Sequence, residues 1–152
     1  MNGKSVKPGC KRPEVLVKLF QCRRVLVYKR EGSYLKALIF MKKRILIIDD
    51  ELDICLLLQS YLRSQSFDTY YEQNLKSGLS ALSKLEPAVL ILDNNLPDGL
   101  GIDSITEIKA KFPNLKLLIV SAYSSLKNKA IEYGADAFIS KPFNYASIMA
   151  AI

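Results

Sequence analysis

The sequence predicts an α/β domain in which a parallel β-sheet is covered by helices on both faces. Two short apolar runs, residues 45–48 and 89–92, end abruptly on aspartates, which is typical of strands buried on both faces. Strand-like and helix-like segments alternate along the chain, with strands about 20–25 residues apart, and this alternation favours right-handed βαβ crossovers. Neither a GxGxxG loop nor a Walker A loop follows any of these strands, so the common nucleotide-binding fingerprints are absent.

The first βα unit begins with residues 44–48, which predict a buried strand. The helix that follows begins at Glu51 and Asp53, because acidic side chains stabilise the positive N-terminal end of a helix dipole. It extends to about Gln65. The residues of this helix that we expect to face the core have helical spacing: Ile54, Leu57, Leu58 and Tyr61.

The second unit is more polar, and residues 67–72 predict an edge strand. Its helix ends before Pro87, and the core-facing residues are Leu75, Leu79, Leu82 and Leu85. The third unit has a wholly apolar strand at 88–92. Its helix ends before Pro113, and the core-facing residues are Ile102, Ile105, Ile108 and Phe112.

The fourth unit has a strand at 116–120 and a helix over about 124–133, with Gly134 as its C-cap. We expect three residues of this helix to point inward: Leu126, Ala130 and Tyr133. The fifth unit has a strand at 135–140 and a helix that starts at the N-cap Asn144. About two turns of this helix precede the last residue of the sequence.

The net charge of +7 is concentrated at the N-terminus. Residues 1–40 contain ten Lys and Arg against two Glu, a charge of +8, while residues 41–152 contain twelve Lys and Arg against thirteen acids, a charge of −1. The predicted α/β domain is therefore nearly neutral, and a basic nucleic-acid-binding surface is not expected on it.

Three interpretations of residues 1–40 remain open. The segment is a basic arm that contacts phosphate backbones or anionic lipid, or a short hairpin or helix packed on the domain, or an accidental upstream extension with Met41 as the natural start. We favour the last, and expect a poorly structured or loosely packed N-terminal extension followed by a domain at 41–152. Charges interrupt the apolar patches of the segment, which is not the pattern of a signal peptide.

Composition excludes several classes of function. The sequence has no histidine, so Ser-His-Asp and Cys-His catalysis and a Cys/His zinc site are all excluded. Its three cysteines, Cys10, Cys22 and Cys55, form no CxxC pair and indicate reduced thiols in a cytoplasmic protein. No apolar run approaches the roughly 18–20 residues of a membrane span, so we expect no membrane association.

Five polar side chains follow the predicted strands at one edge of the sheet: Asp49, Asp50, Asp93, Ser121 and Lys141. Taken singly, each is an ordinary helix-capping or turn residue. Together they lie where open α/β sheets place their ligand sites. Closely packed carboxylates repel one another, so the cluster suits a hard cation such as Mg²⁺. Magnesium and a lysine beside carboxylates are the requirements of phosphoryl transfer, and Asp93 is the plausible nucleophile.

Two other functions compete with a phosphoacceptor switch. One is a magnesium-dependent phosphatase with an aspartyl nucleophile, but such enzymes usually have a second aspartate two residues later, where this sequence has Asn95. The other is a DNA-binding regulator that acts through the leader, but no helix-turn-helix pattern is present. Both are therefore disfavoured.

The chain resembles the receiver domain of bacterial two-component response regulators over residues about 42–152. The resemblance is carried by Ile-Ile-Asp49-Asp50-Glu51, Leu-Asp93-Asn-Asn-Leu-Pro97-Asp-Gly99, Ile-Val-Ser121-Ala122 and Phe138-Ile-Ser-Lys141-Pro142-Phe143. It implies a flavodoxin-like sheet of five parallel strands in the order 2-1-3-4-5.

The resemblance also implies roles for individual residues. Asp93 is phosphorylated by a sensor histidine kinase or a histidine phosphotransfer protein. Asp50, Asp93 and the backbone carbonyl of Asn95 bind Mg²⁺, and Asp49 acts through water. Lys141 pairs with the phosphoryl oxygens, and its bond to Pro142 is cis.

The switch residues implied by the resemblance are Ser121, whose hydroxyl engages the phosphoryl group, and Phe138, which then turns inward. Asn95 and Tyr123 tune dephosphorylation. The fourth helix, fifth strand and fifth helix form the surface that changes, and a homodimer through this surface is the usual arrangement. The domain is not an enzyme beyond its own phosphorylation and dephosphorylation, and it reaches nucleic acid only through an effector domain or partner. The basic leader and the short fifth helix depart from the family pattern.

Overall fold

The computed structural model describes residues 15–20, 23–30, 33–37 and 42–152. The chain divides into two compact units, Met1–Met41 and Lys42–Ile152. In the first unit, β1 (Val15–Phe20), β2 (Arg23–Arg30) and β3 (Ser33–Ala37) form an antiparallel sheet in that order. A hairpin was among the alternatives for this segment, and the expected domain division remains a prediction.

The second unit is built on a parallel sheet of five strands. Two further short strands in the loop after Asp93, Asn95–Leu96 and Gly99–Leu100, pair separately as an antiparallel ribbon. The strands of the unit are β4 (Arg44–Ile48), β5 (Asp68–Glu72), β6 (Val89–Asp93), β7 (Asn95–Leu96), β8 (Gly99–Leu100), β9 (Lys116–Ser121) and β10 (Ala137–Ser140). The helices are α1 (Leu52–Ser64), α2 (Leu75–Leu85), α3 (Gly101–Lys111), α4 (Lys127–Glu132) and α5 (Tyr145–Ala151).

The strand order of the large sheet is β5-β4-β6-β9-β10, and every neighbouring pair is parallel. In units of the five predicted strands this is the order 2-1-3-4-5, so the predicted fold class is confirmed. The more polar β5 lies at one edge, also as predicted. From β4 the chain adds β5 on one side of the sheet and then β6, β9 and β10 on the other. The direction of the strand order therefore reverses between β4 and β6, and this is the topological switch point.

The sheet separates two hydrophobic cores. Alternate residues of each central strand enter opposite cores, which explains why β4 and β6 are apolar without alternation. The first core contains Leu46, Ile48, Leu90 and Leu92 with buried residues of α2 and α3. The second contains Ile45, Ile47, Val89 and Ile91 with buried residues of α1 and α5.

The buried stripe of α1 differs from the prediction. Leu58 is buried as expected, but Leu57 is 58% exposed, and Cys55 and Leu62 are buried in its place. Ile54 and Tyr61 are partly buried at the border of the core. Apolar residues occupy Ile54 through Leu58 without a break, so helical spacing alone does not determine which face turns inward.

The fourth helix is shorter than predicted. A 3₁₀ turn occupies Ser124–Leu126, and α4 itself ends at Glu132. Ala130 is buried and Leu126 is partly buried, but Tyr133 lies beyond the helix and is 37% exposed, with the Lys129 ammonium 5.2 Å from its ring centroid. The expectation that Tyr133 points inward is therefore wrong.

The capping residue predicted for α4 is displaced by one position, whereas that of α5 is confirmed. Tyr133 is the C-cap of α4, and Gly134 comes directly after it with a φ of +107°. The Asn144 side chain caps the start of α5 by accepting a hydrogen bond from the Ser147 amide. The Lys141–Pro142 bond is cis, as the resemblance implied. Across the residues that the structure describes, no helix has both the length and the apolar character needed to cross a membrane.

Candidate functional site

Four strands of the large sheet deliver polar residues to its carboxyl edge. Strand β6 ends on Asp93 and β9 ends on Ser121, while Asp49 directly follows β4 and Lys141 directly follows β10. The parallel register pairs Ile48 with Leu92 and Asp93 with Val120, so the carboxyl ends of these strands lie side by side. The apolar strands thus carry four of the five predicted site residues to one place.

Lys141 joins the carboxylates of this edge. Its Nζ lies 3.0 Å from Asp49 Oδ2, 2.8 Å from Asp93 Oδ1 and 3.1 Å from Glu51 Oε1. The side chains of Asp49 and Asp93 are 5% and 4% exposed, and that of Lys141 is 16% exposed. The Lys141 backbone N–H also donates to the Ser121 carbonyl at 2.8 Å, which anchors the lysine at the end of β10.

Burial and ion pairing act in opposite directions on these groups. Burial raises the pKa of Asp49, and hydrogen bonds from Lys141 and from the Glu51 N–H only partly oppose it. Burial works to lower the pKa of Lys141, but the hydrogen bonds with Asp93 and Asp49 outweigh it and the pKa of the ammonium rises. Lys141 therefore stays protonated, and it is the fixed positive charge of the site.

The loop that follows Asp93 is held by backbone hydrogen bonds. The Asn95 N–H donates to Asp93 Oδ2, which orients the carboxylate. The buried side chain of Asn94 accepts from the Ile102 N–H at 3.2 Å and ties the loop to α3. A Cβ on Gly101 would lie 2.3 Å from the Asp93 carbonyl oxygen, so only glycine fits there. The position of Asp93 therefore depends on the start of α3.

The same loop is also attached to α2. Asp98 Oδ1 accepts from the Leu75 N–H at 2.7 Å, and Asp98 Oδ2 accepts from the Lys76 N–H at 2.8 Å. These backbone hydrogen bonds lower the pKa of Asp98. The carboxylate therefore caps a helix that begins 23 residues earlier in the chain. The sequence does not predict this contact, because Asp98 beside Pro97 and Gly99 has the pattern of an ordinary turn residue.

Asp50 is the remaining predicted carboxylate, and it is exposed. Its backbone carbonyl accepts from Gln73 Nε2 at 3.2 Å. Within residues 42–152, no group of three or more Asp, Glu, Cys or His side chains is arranged as a metal site. The predicted ligands nevertheless fit Mg²⁺ by type, because all are carboxylate or carbonyl oxygens. Asp49 and Asp93 share one ammonium, and this excess of negative charge favours a cation.

The two predicted switch residues lie on neighbouring strands. Ser121 is buried, and its Oγ accepts from the Tyr123 N–H at 3.1 Å. Phe138 on β10 is partly buried against the core that contains α3. The Tyr123 side chain and Asn95, which were predicted to tune the site, are both exposed.

Two further groups at this edge were not identified from the sequence. Glu51 was interpreted as a helix-opening residue and as the last residue of the first receiver-domain motif, but its contact with Lys141 was not predicted. The buried thiol of Cys55 donates to the Asp49 carbonyl at 3.2 Å. Burial, followed by the charge of Asp49, raises the pKa of Cys55 to about 12, so the thiol stays protonated and serves the packing of α1.

Comparison with known proteins identifies the family of the α/β unit. A family model described as the response regulator receiver domain matches residues 45–152. The response regulator protein PilR of Pseudomonas aeruginosa is 33% identical over 103 residues, which is 66% of this chain and 23% of PilR, so the chain spans less than a quarter of that relative. The chemotaxis protein CheY of Thermotoga maritima is 30% identical over 115 residues, 74% of this chain and 96% of CheY.

Solved structures show the same fold. A response regulator protein from Burkholderia pseudomallei, solved with a phosphorylated aspartic acid, a calcium ion and citrate, matches with a TM-score of 0.68 at 24% identity, over 72% of this chain and 66% of that chain. Receiver domains of two-component response regulators are phosphorylated on aspartate and act as signalling switches. From the family match together with the five-stranded sheet and its acidic carboxyl edge, we conclude that this chain belongs to the response regulator receiver domain family.

Proposed function

We propose that Asp93 is the phosphoacceptor of a two-component signalling switch. The observation that supports this most directly is the Lys141 ammonium between Asp49 and Asp93, at 3.0 and 2.8 Å. Asp93 is the only one of the predicted acidic residues that ends a strand of the large sheet, and its Oδ2 is oriented by the Asn95 N–H. The proposed donor is a sensor histidine kinase or a histidine phosphotransfer protein.

The proposed transfer makes an acyl phosphate. An Asp93 carboxylate oxygen attacks phosphorus, the bond between phosphorus and the donor histidine nitrogen breaks, and its electron pair stays on the imidazole. With acetyl phosphate as donor, the bond to the acetate oxygen breaks and acetate leaves. Lys141 remains protonated throughout and supplies positive charge to the phosphoryl oxygens. The buried position of Asp93 limits access of competing water.

The proposed magnesium ligands are Asp50, Asp93 and the backbone carbonyl of Asn95, with Asp49 acting through a water molecule. Receiver domains typically bind a divalent metal, which supports this assignment. Bound Mg²⁺ would neutralise negative charge on the transferring phosphoryl group. The ammonium of Lys141 cannot replace the cation, because two buried carboxylates and the incoming phosphoryl group together carry more negative charge than one lysine offsets.

The proposed switch runs through Ser121 and Phe138. Phosphorylation replaces the single carboxylate charge of Asp93 with a phosphoryl group of about −1.5 to −2 charges and three acceptor oxygens, so the Ser121 hydroxyl is drawn away from the Tyr123 N–H toward the phosphoryl group. Phe138 then fills the space that Ser121 leaves, and the surface of α4, β10 and α5 changes shape. This is a two-state element biased by a local charge. Asn95 and Tyr123, both exposed beside the site, are the proposed positions that tune dephosphorylation.

Incubation with acetyl phosphate and Mg²⁺ followed by intact mass measurement tests the proposal. We expect one added phosphoryl group, none in Asp93→Asn and none when EDTA removes the metal. Asp103→Asn on the exposed face of α3 is the matched control and should label as the native protein does. Full labelling of Asp93→Asn would show that another residue accepts the phosphoryl group.

The remaining partners are also proposals. Homodimerisation through the surface of α4, β10 and α5 would be detected as a phosphorylation-dependent change in sedimentation. A contact with nucleic acid would be indirect, through an effector domain or a partner. A cytoplasmic location, expected from the cysteines, remains a prediction.

A further inference from the structure

We propose that Glu51 restrains Lys141 in the resting site and competes with the phosphoryl group for it. Glu51 is then a positioning residue that sets how readily Asp93 is phosphorylated. This inference rests on the proposed function of Asp93 and goes beyond it, because it assigns a role to a side chain outside the predicted site.

The Lys141 ammonium is surrounded by carboxylates. A lysine ammonium has three N–H donors. In this structure Lys141 Nζ has three carboxylate partners, Asp93 at 2.8 Å, Asp49 at 3.0 Å and Glu51 at 3.1 Å. Hydrogen bonds to Asp49 and Glu51 and the close ion pair with Asp93 therefore occupy the ammonium. Lys141 can donate to a phosphoryl oxygen only after it gives up one of these contacts.

Exposure decides which contact is given up. The side chains of Asp49 and Asp93 are 5% and 4% exposed, whereas that of Glu51 is 59% exposed. A buried carboxylate that loses its ammonium keeps an uncompensated charge in a poorly solvated place, and this is costly. An exposed carboxylate that loses the same partner is hydrated by water. Glu51 is therefore the partner that leaves.

The local structure lets Glu51 leave without disturbing the site. Its backbone N–H donates to Asp49 Oδ1 at 3.0 Å, so the main chain stays fixed while the side chain swings into solvent. Glu51 is the N-cap of α1, but in the described structure its side chain makes no capping hydrogen bond. Release from Lys141 thus breaks one exposed ion pair and leaves the start of α1 intact.

Removing the competing charge should speed phosphorylation. An exposed ion pair contributes a free energy that corresponds to about a 1.5- to 5-fold change in an equilibrium or rate. We therefore expect Glu51→Gln to be phosphorylated by acetyl phosphate about two- to fivefold faster than the native chain. High salt screens the exposed ion pair in the native chain, so the ratio of the Glu51→Gln rate to the native rate should fall toward one at about 1 M KCl.

The test compares the native full chain, Glu51→Gln and Asp53→Asn, with Asp93→Asn as the unlabelled reference. Asp53 is an exposed acid in the same first turn of α1, so its replacement removes an equal charge near the same helix end. Initial rates are measured by intact mass with acetyl phosphate at saturating Mg²⁺, so that a weaker metal affinity in any variant does not affect the rate. Magnesium affinity is measured separately by NMR titration with the metal alone.

The expected result is acceleration in Glu51→Gln at low salt, loss of that acceleration at high salt, and a native rate in Asp53→Asn. An equal rate in Glu51→Gln and the native chain, or a slower rate at saturating Mg²⁺, would overturn the inference. Equal acceleration in Asp53→Asn would also overturn it, because the effect would then come from general charge. Failure of the proposed function looks different, since Asp93→Asn would itself be labelled.

Discussion

The contact between Lys141 and Asp93 predicts that Asp93→Asn has opposite effects on the free energy of unfolding in the native chain and in a Lys141→Met background. In the native chain, Asp93→Asn removes a partner of the ammonium and should destabilise the fold. In a Lys141→Met background, Asp49 and Asp93 face each other without a cation, so Asp93→Asn removes a repulsion and should stabilise the fold.

The distances allow the size of this effect to be worked out. Unit charges about 3 Å apart attract by about 5 kcal/mol at an effective dielectric constant of about 20, before any desolvation. Desolvation offsets much of this, and Lys141 keeps two other carboxylate partners, so Asp93→Asn should lower the free energy of unfolding by about 1–2 kcal/mol. In the Lys141→Met background the same substitution should raise it by about 1 kcal/mol. The coupling between the two positions is therefore about 2–3 kcal/mol.

Urea unfolding followed by far-ultraviolet circular dichroism measures this coupling, at pH 7 with EDTA to keep divalent metal out of the site. Asp103→Asn in both backgrounds is the control. Asp103 is exposed and its ion pair is with Lys129, so its coupling to Lys141→Met should lie within about 0.5 kcal/mol of zero, as for positions that share no partner. If Asp93→Asn destabilised both backgrounds equally, the ammonium would not be a partner of Asp93 and the reasoning would be refuted.

Three further substitutions test a close backbone approach, a buried core residue and a helix cap. Gly101→Ala places a Cβ 2.3 Å from the Asp93 carbonyl oxygen, so it should lower the free energy of unfolding in urea by about 1–3 kcal/mol and slow the labelling measured by intact mass. The control is Gly99→Ala. Its Cβ meets only a flexible leucine end at 3.3 Å, so it should change neither measurement. Leu58→Ala should cost about 2–5 kcal/mol in urea unfolding because the side chain is buried, and Leu57→Ala, on the exposed face, should change stability by less than about 0.5 kcal/mol. Because the pKa of Asp98 is lowered in the folded state, its contribution to stability is present above the unfolded value of 3.8 and is lost as the pH falls through the folded pKa. In thermal melts below pH 3.8, Asp98→Asn should therefore lose stability less steeply with falling pH than the native chain. Equal dependence on pH in the two proteins would contradict the cap.

The fold was predictable because the strands carry an unusually clear signal. Residues 45–48 and 89–92 are apolar at every position, and only burial between two cores explains that pattern. Prolines and the Asn144 cap then marked the helix ends. The phase of α1 was not predictable, because its consecutive apolar residues satisfy more than one helical face and tertiary packing chooses between them.

The candidate site was predictable only in part. Strand ends determine where Asp49, Asp93 and Lys141 lie, so their convergence follows from the parallel sheet. The contact of Glu51 with Lys141 and the cap formed by Asp98 on α2 join positions 90 and 23 residues apart. Such contacts depend on how loops fold back onto neighbouring elements, and residue type and spacing do not encode them.

The attachment of Asp98 to α2 gives the protein an intrinsic spectroscopic probe. The amide protons of Leu75 and Lys76 point at a carboxylate that belongs to the loop beginning at Asp93. Short hydrogen bonds to a charged acceptor displace amide resonances strongly, so these two signals should be easy to recognise in a nitrogen-correlated spectrum. Any chemistry that shifts the loop by a fraction of an ångström would move them, and the state of the molecule becomes readable without a dye, a tag or a tryptophan, which the chain lacks.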